Sequence, residues 1–286
     1  MGASLPCTSR RPIDISYQFT AITLASCINF VEAFSRGRGG SPPAQCRRGL
    51  GPIQSACFFS APMCTKNHMK VVVVPVTPFE QNCTLLIGDD GRAAVTDPGG
   101  DIDRILTAAR QQGARIEKIL LTHGHVDHCA AADALRAQLG VPIEGPHKDE
   151  AFWIDQLPAQ SQRFGFPPAR AFVPDRWLDD GDTVEAAGRT LEVFHCPGHT
   201  PGHVVFFSRP DRIAIVGDVL FAGSIGRTDF PRGNHADLIR SIRTKLWPLG
   251  DDVTFVPGHG PVSTFGEERA TNPYVADRLF ADEGTA

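Results

Sequence analysis

From residue 69 onward, short apolar runs alternate with polar and turn residues, and this order predicts strands interleaved with helices. The β-branched and apolar runs predict strands over residues 70–76, 83–87, 93–96, 116–121, 182–184, 189–194, 203–207, 212–216 and 253–256. Longer segments predict helices over residues 102–112, 127–139 and 235–245. Strands in two groups with helices between them fit an α/β fold of four layers, an αββα sandwich.

Turn and capping residues mark the ends of several of these elements. Asp89-Asp90-Gly91 predicts a hairpin turn between the second and third strands, and Asp101 is predicted to cap the first helix. Gly113 and Gly140 are predicted to end the first and second helices. Residues 142–180 carry Trp and Phe among prolines, and we expect short helices and a loop over the mouth of a site there.

Residues 1–68 differ in composition from the rest of the chain. They hold five of the eight cysteines, and a Gly/Pro/Arg run extends from Ser35 to Pro52 without a sustained helix or strand period. We therefore predict one domain over residues 69–286. The N-terminal extension over residues 1–68 is predicted to be disordered, or to reflect a mis-assigned start upstream of Met63 or Met69.

The alternative interpretation of the extension is a targeting segment. Residues 15–31 are uncharged and moderately apolar after Arg10-Arg11, and Leu24-Ala25-Ser26-Cys27 resembles a lipoprotein cleavage box. A genuine leader would direct the protein to an organelle or export it. Without one we expect a cytoplasmic protein, because the three cysteines beyond residue 68 give no disulfide framework and are consistent with a reducing compartment.

Composition and charge limit the class of function. The chain is 42% hydrophobic and 21% charged, which is ordinary for a soluble globular protein. Residues 1–68 carry six Arg and one Lys against two acidic residues, so the remaining chain has a net charge of −9 and is a poor candidate for binding nucleic acid. No stretch reaches the roughly 18 consecutive apolar residues of a membrane span, so we expect no membrane partner. The oligomeric state is not indicated.

The densest group of chemically active side chains lies between Leu121 and His128. His123, His125, Asp127 and His128 follow an apolar run, and imidazole nitrogens with carboxylate oxygens suit zinc, manganese or iron. With Gly124 as a tight turn, His123 and His125 project to the same side and can share one ion. Asp127 and His128 open the next helix and point away, so they can serve a second ion. A polar loop of hydrogen-bonded histidines is the alternative.

Further ligand-type residues follow three later strands. His199 lies in a Pro/Gly loop after strand 189–194, Asp218 follows Gly217 after strand 212–216, and His259 follows strand 253–256. Four strand ends therefore deliver five histidines and two aspartates, and we expect them to meet at one edge of the paired sheets.

These residues resemble the metallo-β-lactamase superfamily, whose pattern is His-x-His-x-Asp-His followed by His, Asp and His on later strand ends. Residues 69–273 resemble more narrowly its short glyoxalase II-type, hydroxyacylglutathione hydrolase-like members. The narrower resemblance rests on the run from Gly217 to Gly233 together with Pro257-Gly258-His259-Gly260. It implies the metallo-β-lactamase form of the four-layer sandwich.

The resemblance also implies a ligand set for two divalent metal ions, zinc first, with iron or manganese as alternatives. His123, His125 and His199 would hold metal one, Asp127, His128 and His259 would hold metal two, and Asp218 would bridge them. The chemistry of the side chains favours the same bridge. A carboxylate has two oxygens and can span two cations, whereas an imidazole presents one free nitrogen.

Two such ions would trap a water and lower its pKa towards neutrality. The resulting bridging hydroxide, held by Asp218 with Asp127, would attack an acyl carbon, and the ions would stabilise the oxyanion and the departing thiolate. The sequence therefore predicts a hydrolase of a small-molecule thioester such as S-lactoylglutathione or a related acyl thioester.

Departures from the family pattern bear on the substrate. Only 27 residues follow His259, so the C-terminal helical domain with which full-length glyoxalase II holds glutathione has no counterpart in this sequence. Tyr17 and Tyr274 are the only tyrosines, which disfavours a lactonase with a tyrosine proton donor near Asp218. β-Lactam hydrolysis is also disfavoured, because those relatives generally lack the bridging aspartate.

Two rival functions remain. A persulfide dioxygenase would use one iron held by the metal-one histidines and Asp218, and it shares the Gly-Arg-Thr-Asp-Phe run at 226–230. A non-catalytic metal-binding scaffold is the other rival.

Several other residues have more than one interpretation. Asp97 is either a group behind the metal ligands or a plain turn residue. His195 and His203 are interpreted as structural, and Cys129 and Cys196 as small buried apolar residues. Arg227 either binds substrate or pairs with Asp229 to fix the loop after the bridge. We expect three further histidines to face solvent: His68, His147 and His235.

Overall fold

The structure is a computed structural model that describes residues 14–17 and 68–284, with side chains to residue 281. The predicted N-terminal extension, including its cleavage-box resemblance, lies outside the described residues except for 14–17 and His68. Within the described part of the chain, no helix has the length and apolar character needed to cross a membrane.

The observed elements follow the predicted order closely. The strands are β1 (Ile15–Tyr17), β2 (Lys70–Val76), β3 (Gln81–Ile87), β4 (Arg92–Thr96), β5 (Arg115–Leu120), β6 (Ile143–Glu144), β7 (Thr183–Ala186), β8 (Arg189–His195), β9 (Val204–Ser208), β10 (Ile213–Gly217), β11 (Leu220–Phe221), β12 (Ser224–Ile225), β13 (Thr254–Pro257) and β14 (Ser263–Thr264). The α-helices are α1 (Ile102–Gln111), α2 (Val126–Cys129), α3 (Ala132–Leu139), α4 (Ala151–Ile154), α5 (Leu157–Phe164), α6 (His235–Ser241) and α7 (Phe265–Thr271).

The strands form two six-stranded sheets and one small hairpin. The first sheet runs β1-β2-β3-β4-β5-β6, and the second runs β14-β13-β10-β9-β8-β7. The parallel pairs are β1–β2, β4–β5 and β5–β6 in the first sheet and β10–β13 in the second, and the other pairs are antiparallel. In each of these parallel pairs the carboxyl ends lie at the same edge of the sheet, which is where the ligand-type residues follow.

Successive apolar side chains along the strands point to opposite faces of each sheet. Both faces of both sheets are therefore covered, and three apolar cores separate four layers of helices and sheets. On β2, Val71 and Val73 pack into the core between the two sheets, while Val72 and Val74 face the opposite way towards α1 and α3. The outer face of the second sheet forms the third core, where Phe207 lies with Leu238 of α6. The predicted αββα sandwich is confirmed.

Three helical predictions need correction. The helix predicted over residues 127–139 is broken into α2 and α3, because the backbone N–H of Ala131 turns aside to donate to the carbonyl of Pro98 at 3.1 Å. Asp101 occupies the N-cap position of α1, but its side chain accepts from the N–H of Thr77 instead of capping the helix. The helix predicted to Lys245 leaves α-geometry after Ser241 and continues as a π-helical turn.

The structure also contains elements that the sequence pattern did not predict. β1 pairs in parallel with β2, although the residue pattern of 1–68 predicted no regular element there. β14 and α7 follow the last predicted strand. The hydroxyl of Thr264 accepts from the N–H of Glu267, so the start of α7 carries a capping-box spacing that could have revealed it.

Candidate metal centre

All seven predicted ligands come together at one edge of the sandwich. Each lies in a loop or at a helix start that follows a strand, and the strands concerned are β5, β8, β10 and β13. The strand ends are held rigidly by the sheets, so the side chains they carry occupy fixed positions in space. The structure therefore brings the seven predicted ligands together at one edge, and their role as ligands stays a prediction.

The first group contains three buried imidazoles, and we call it group one: His123, His125 and His199. Nε2 of His123 is 3.1 Å from Nδ1 of His125, and Nε2 of His199 is 3.0 Å from that same Nδ1. The three side chains offer ligand atoms that all lie within 4.8 Å of one another, so they can serve one cation.

The second group contains one carboxylate and two imidazoles, and we call it group two: Asp127, His128 and His259. Oδ2 of Asp127 is 3.1 Å from Nε2 of His259 and 3.8 Å from Nε2 of His128. These three side chains also offer atoms close enough to share one cation. The division into two groups is the one that the resemblance implies.

Asp218 lies between the groups with one oxygen towards each. Its Oδ1 is 3.3 Å from Nε2 of His128, and its Oδ2 is 3.5 Å from Nε2 of His199. Its backbone N–H donates to Nε2 of His203 at 3.0 Å, which fixes the start of this loop. The preceding Gly217 has φ of 49°, and a Cβ there would lie 2.6 Å from the imidazole of His203. Asp218 is therefore positioned to contact both sites at once.

The remote nitrogen of most of these histidines has its own hydrogen-bond partner. Nδ1 of His199 donates to the carbonyl of Arg227 at 2.8 Å, and Nδ1 of His259 donates to the carbonyl of Phe79 at 3.2 Å. Donating from the remote nitrogen leaves the site-facing nitrogen with a free lone pair, which is the tautomer that a metal requires.

Two buried atoms test whether a cation fits this arrangement. Nε2 of His128 and Oδ1 of Asp218 have no hydrogen-bond partner within the described structure, although both are inaccessible to solvent. A buried polar atom without a partner is costly, and a cation between the groups would satisfy both atoms. The residues present therefore fit divalent metal, and each group offers a set of donor atoms for it.

The electrostatics of the centre also favour positive charge. Burial lowers the pKa of His123, His125 and His199, so these imidazoles are neutral at physiological pH. Burial acts to raise the pKa of Asp218, but His128 holds that pKa well below its ordinary value. The result is three neutral imidazole nitrogens at group one beside the ionised carboxylate of Asp218.

The pKa of His128 is shifted in the opposite direction from those of the group-one imidazoles. Burial acts to lower its pKa, yet Asp218 and Asp127 together raise that pKa well above its ordinary value. Without a metal, a proton on His128 partly neutralises the two carboxylates. A divalent cation would take over this role and release the proton.

Asp97 lies behind His128, which decides between its two interpretations. Its Oδ2 accepts from Nδ1 of His128 at 3.0 Å and from the hydroxyl of Thr122 at 2.6 Å. Its Oδ1 accepts from the backbone N–H of Thr122 at 2.7 Å. This carboxylate orients the His128 ring and sets its tautomer, so it is more than a turn residue.

Asp97→Asn is expected to weaken metal binding at group two by about 10- to 100-fold. If the new carbonyl keeps the bond from Thr122 N–H, the new amide NH₂ faces the N–H of His128, so two donors oppose each other. Chelator competition measures the affinity. Asp211→Asn is the matched control, because Asp211 is a buried carboxylate that accepts from Met69 and Arg189 and touches neither group. Equal affinities in the two variants would contradict the role of Asp97.

The remaining candidate residues lie around this centre. Arg227 forms a two-bond ion pair with Asp229 at 2.9 and 2.8 Å and stacks over Phe230, so the predicted loop pair is present. His68 and His235 are exposed as expected. Cys129 and Cys196 are buried free thiols.

His147 departs from its prediction. Its side chain is only 15% exposed and its ring stacks on His195 at 4.3 Å. With Asp149 these two histidines form a further cluster of ligand-type atoms. However, Nδ1 of His147 already accepts from the N–H of Asp149, and Nε2 of His195 donates to Pro201 O, so both rings are held by the protein itself.

Sequence reasoning missed three residues that contact the centre or its loops. The Trp153 ring lies 4.6 Å from His125, and the Phe230 ring lies 4.8 Å from His125 and 5.5 Å from His199. Glu150 is fully buried and accepts from backbone N–H groups beside the ligands. The aromatic residues of segment 142–180 did signal a cover over the site, but nothing local indicated which side chains reach it.

Comparison with known proteins agrees with this geometry. The family model described as Metallo-beta-lactamase superfamily matches residues 76–259. Among curated proteins, the chain is similar to hydroxyacylglutathione hydrolase GloC of Haemophilus influenzae, with 46% identity over 208 residues that cover 72% of this chain and 98% of the relative.

Two solved structures show the same architecture. The crystal structure of BLEG-1 B3 metallo-beta-lactamase aligns with a TM-score of 0.67 and 36% identity, covering 72% of this chain and 99% of that one. The crystal structure of TTHA1623 in a di-iron-bound form aligns with a TM-score of 0.65 and 32% identity, covering 71% and 99%.

Proposed function

The chain belongs to the metallo-beta-lactamase superfamily of metal-dependent hydrolases, and on that premise we propose that it is a glyoxalase II-like thioester hydrolase with a binuclear metal site. The observation that carries the proposal is Asp218, which directs one oxygen to His128 and the other to His199. A single-metal site would use only one of these two oxygens as a ligand, whereas a binuclear site uses both. The name of the 46% identical relative and the di-iron form of TTHA1623 support the same reading.

The seven ligand-type residues would form two adjacent metal sites. Group one and group two would each hold one ion, and Asp218 would contact both. Two divalent cations held there would lower the pKa of a bound water towards neutrality and polarise the carbonyl of a thioester. Zinc is the first candidate, and iron and manganese suit the same nitrogen and oxygen donors.

The protein's own groups orient the reactants. Asp218 and Asp127 have pKa values held below their ordinary range, so both carboxylates are ionised and can accept hydrogen bonds from an attacking water. Trp153 and Phe230 cover the side of the centre next to His125 and exclude solvent there. The acyl carbon would approach from the side that these rings leave open.

The proposed partner is a small-molecule thioester, and we propose neither a nucleic acid nor a membrane as a partner. Phe79 and Phe164 are more than 40% exposed and pack edge to face, and the carbonyl of Phe79 accepts from His259. An apolar part of the substrate can rest on these rings. A substrate contact for Arg227 stays a prediction, since its guanidinium is already paired with Asp229.

A substrate panel tests this function on the purified full-length chain. We expect kcat/KM for S-lactoylglutathione, or for another acyl thioester, to exceed that for a β-lactam by roughly a hundredfold or more. A β-lactam belongs in the panel because the 36% identical BLEG-1 is named a B3 metallo-beta-lactamase. Oxygen uptake with glutathione persulfide and no thioester cleavage would support the dioxygenase instead. Bound metal without turnover of any substrate would support a scaffold.

A further inference from the structure

Glu150 is a carboxylate buried inside the protein beside the metal centre. It ends a 3₁₀ turn before α4, its exposure is 0%, and both of its oxygens accept from backbone N–H groups. Oε2 accepts from Gly124 at 2.8 Å, and Oε1 accepts from Gly202 at 2.7 Å. Burial raises the pKa of Glu150 to about 7, which is a sign that placing a carboxyl here is costly.

The two glycines belong to the two loops that build group one. Gly124 lies between His123 and His125 in the loop after β5, which belongs to the first sheet. Gly202 lies three residues after His199 in the loop between β8 and β9, which belong to the second sheet. One side chain therefore connects, across the two sheets, the loops that carry every nitrogen of group one.

Close packing makes this connection rigid. A Cβ on Gly202 would lie 2.8 Å from both Cγ and the backbone nitrogen of Glu150. A Cβ on Gly124 would lie 2.7 Å from Cβ of Trp153 and 3.1 Å from Oε2 of Glu150. The glycines allow the turn carrying Glu150 to press against both loops, so a change in the carboxylate shifts one loop relative to the other.

We propose that Glu150 is a positioning residue that fixes the spacing between the His123/His125 loop and the His199 loop, and thereby sets metal affinity at group one but not at group two. The part of this inference that concerns catalysis rests on the proposed function. The part that concerns metal affinity does not, because either a two-metal hydrolase or a one-iron dioxygenase would use group one.

The geometry explains why the effect is confined to group one. Glu150 contacts the chain at Gly124 and Gly202, and neither glycine is adjacent in sequence to a group-two residue. The group-two residues that follow Gly124 are Asp127 and His128, and both belong to helix α2. His259 comes from a separate strand end, after β13. The carboxylate of Glu150 accepts one charge-assisted hydrogen bond from each loop, at 2.7 and 2.8 Å. If it becomes an amide, its NH₂ group faces one of these backbone N–H groups, so that bond is replaced by two opposed donors.

The test uses Glu150→Gln in full-length protein with one group disabled at a time, and zinc as the probe. In a His128→Ala background, zinc bound at group one is expected to weaken by about 10- to 100-fold when Glu150→Gln is added. In a His123→Ala background, zinc bound at group two is expected to change less than about twofold. With both groups intact, kcat is expected to fall while KM stays the same.

Glu268→Gln is the matched control. Glu268 is 2% exposed and accepts from Gly223, Ser263 and Asn272, so it is a buried, hydrogen-bonded carboxylate that contacts neither Gly124 nor Gly202. It should leave both zinc affinities unchanged. Should Glu150→Gln not fold, Glu150→Asp keeps the charge but is one methylene too short to reach both glycines, and the same selective loss is expected.

Two outcomes would overturn the proposal: equal weakening of zinc at both groups, or no weakening at group one. Failure of the proposed function would look different. It would leave the selective zinc result in place and remove only thioester cleavage in the parent protein.

Discussion

Asp218→Asn is expected to lower thioester hydrolysis by at least about 10³-fold, the largest effect of any single substitution considered for this protein. Asp218 directs one oxygen to His128 and the other to His199, at 3.3 and 3.5 Å. An amide keeps one acceptor and turns the other position into a donor that faces a neighbouring imidazole or cation. Both sites lose part of their negative charge, so metal content is expected to fall at the same time.

Metal analysis and steady-state kinetics on the same preparation measure this effect. The control is Asp211→Asn. Asp211 is a buried carboxylate that pairs with Arg189 and Ser208 and does not contact the centre, so this variant should keep both metals and near-parental activity. Near-parental thioesterase activity in Asp218→Asn would show that the carboxylate between the groups is not a bridge.

His128→Ala is the second large effect, with hydrolysis falling on the order of 10²- to 10³-fold. Group two would retain only Asp127 and His259, while group one would keep all three nitrogens. We expect one metal per chain instead of two. The protein should remain folded, because His128 contributes to the centre and not to the three apolar cores.

For His128→Ala, metal analysis measures the number of bound metals, steady-state kinetics measure hydrolysis, and far-UV circular dichroism shows whether the protein is folded. His235→Ala, at an exposed position on α6, is the control for loss of an imidazole and should behave as the parent does. A His128→Ala protein that keeps both metals and parental hydrolysis would contradict the assignment of two groups.

The seven ligand-type residues could be found in the sequence because their signals are local. His123 to His128 form one short motif, and Asp218 and His259 each follow an apolar run by one or two residues. The strands of a layered sandwich end at the edges of its sheets. Predicting the strands therefore also predicted that the side chains following them would lie close together. Tertiary contacts then decided between the interpretations that had been left open for Asp97.

The parts that the sequence did not predict depend on contacts between distant segments. Glu150 meets Gly124 and Gly202 across separations of 26 and 52 residues, and no periodicity announces such a contact. The break between α2 and α3 arises from a bond to Pro98, in a loop that precedes α1. β1 is three residues long and depends on β2 for its hydrogen bonds, so its own pattern carries little information.

Reconstitution of the metal-free full-length chain tests the central claim most directly. Metal is added in steps, and thioester hydrolysis, bound metal per chain and oxygen uptake with glutathione persulfide are followed together. We expect thioester hydrolysis to rise until two metals are bound per chain and then to stop rising. Saturation at one iron per chain, with oxygen consumed and the thioester left intact, would contradict it.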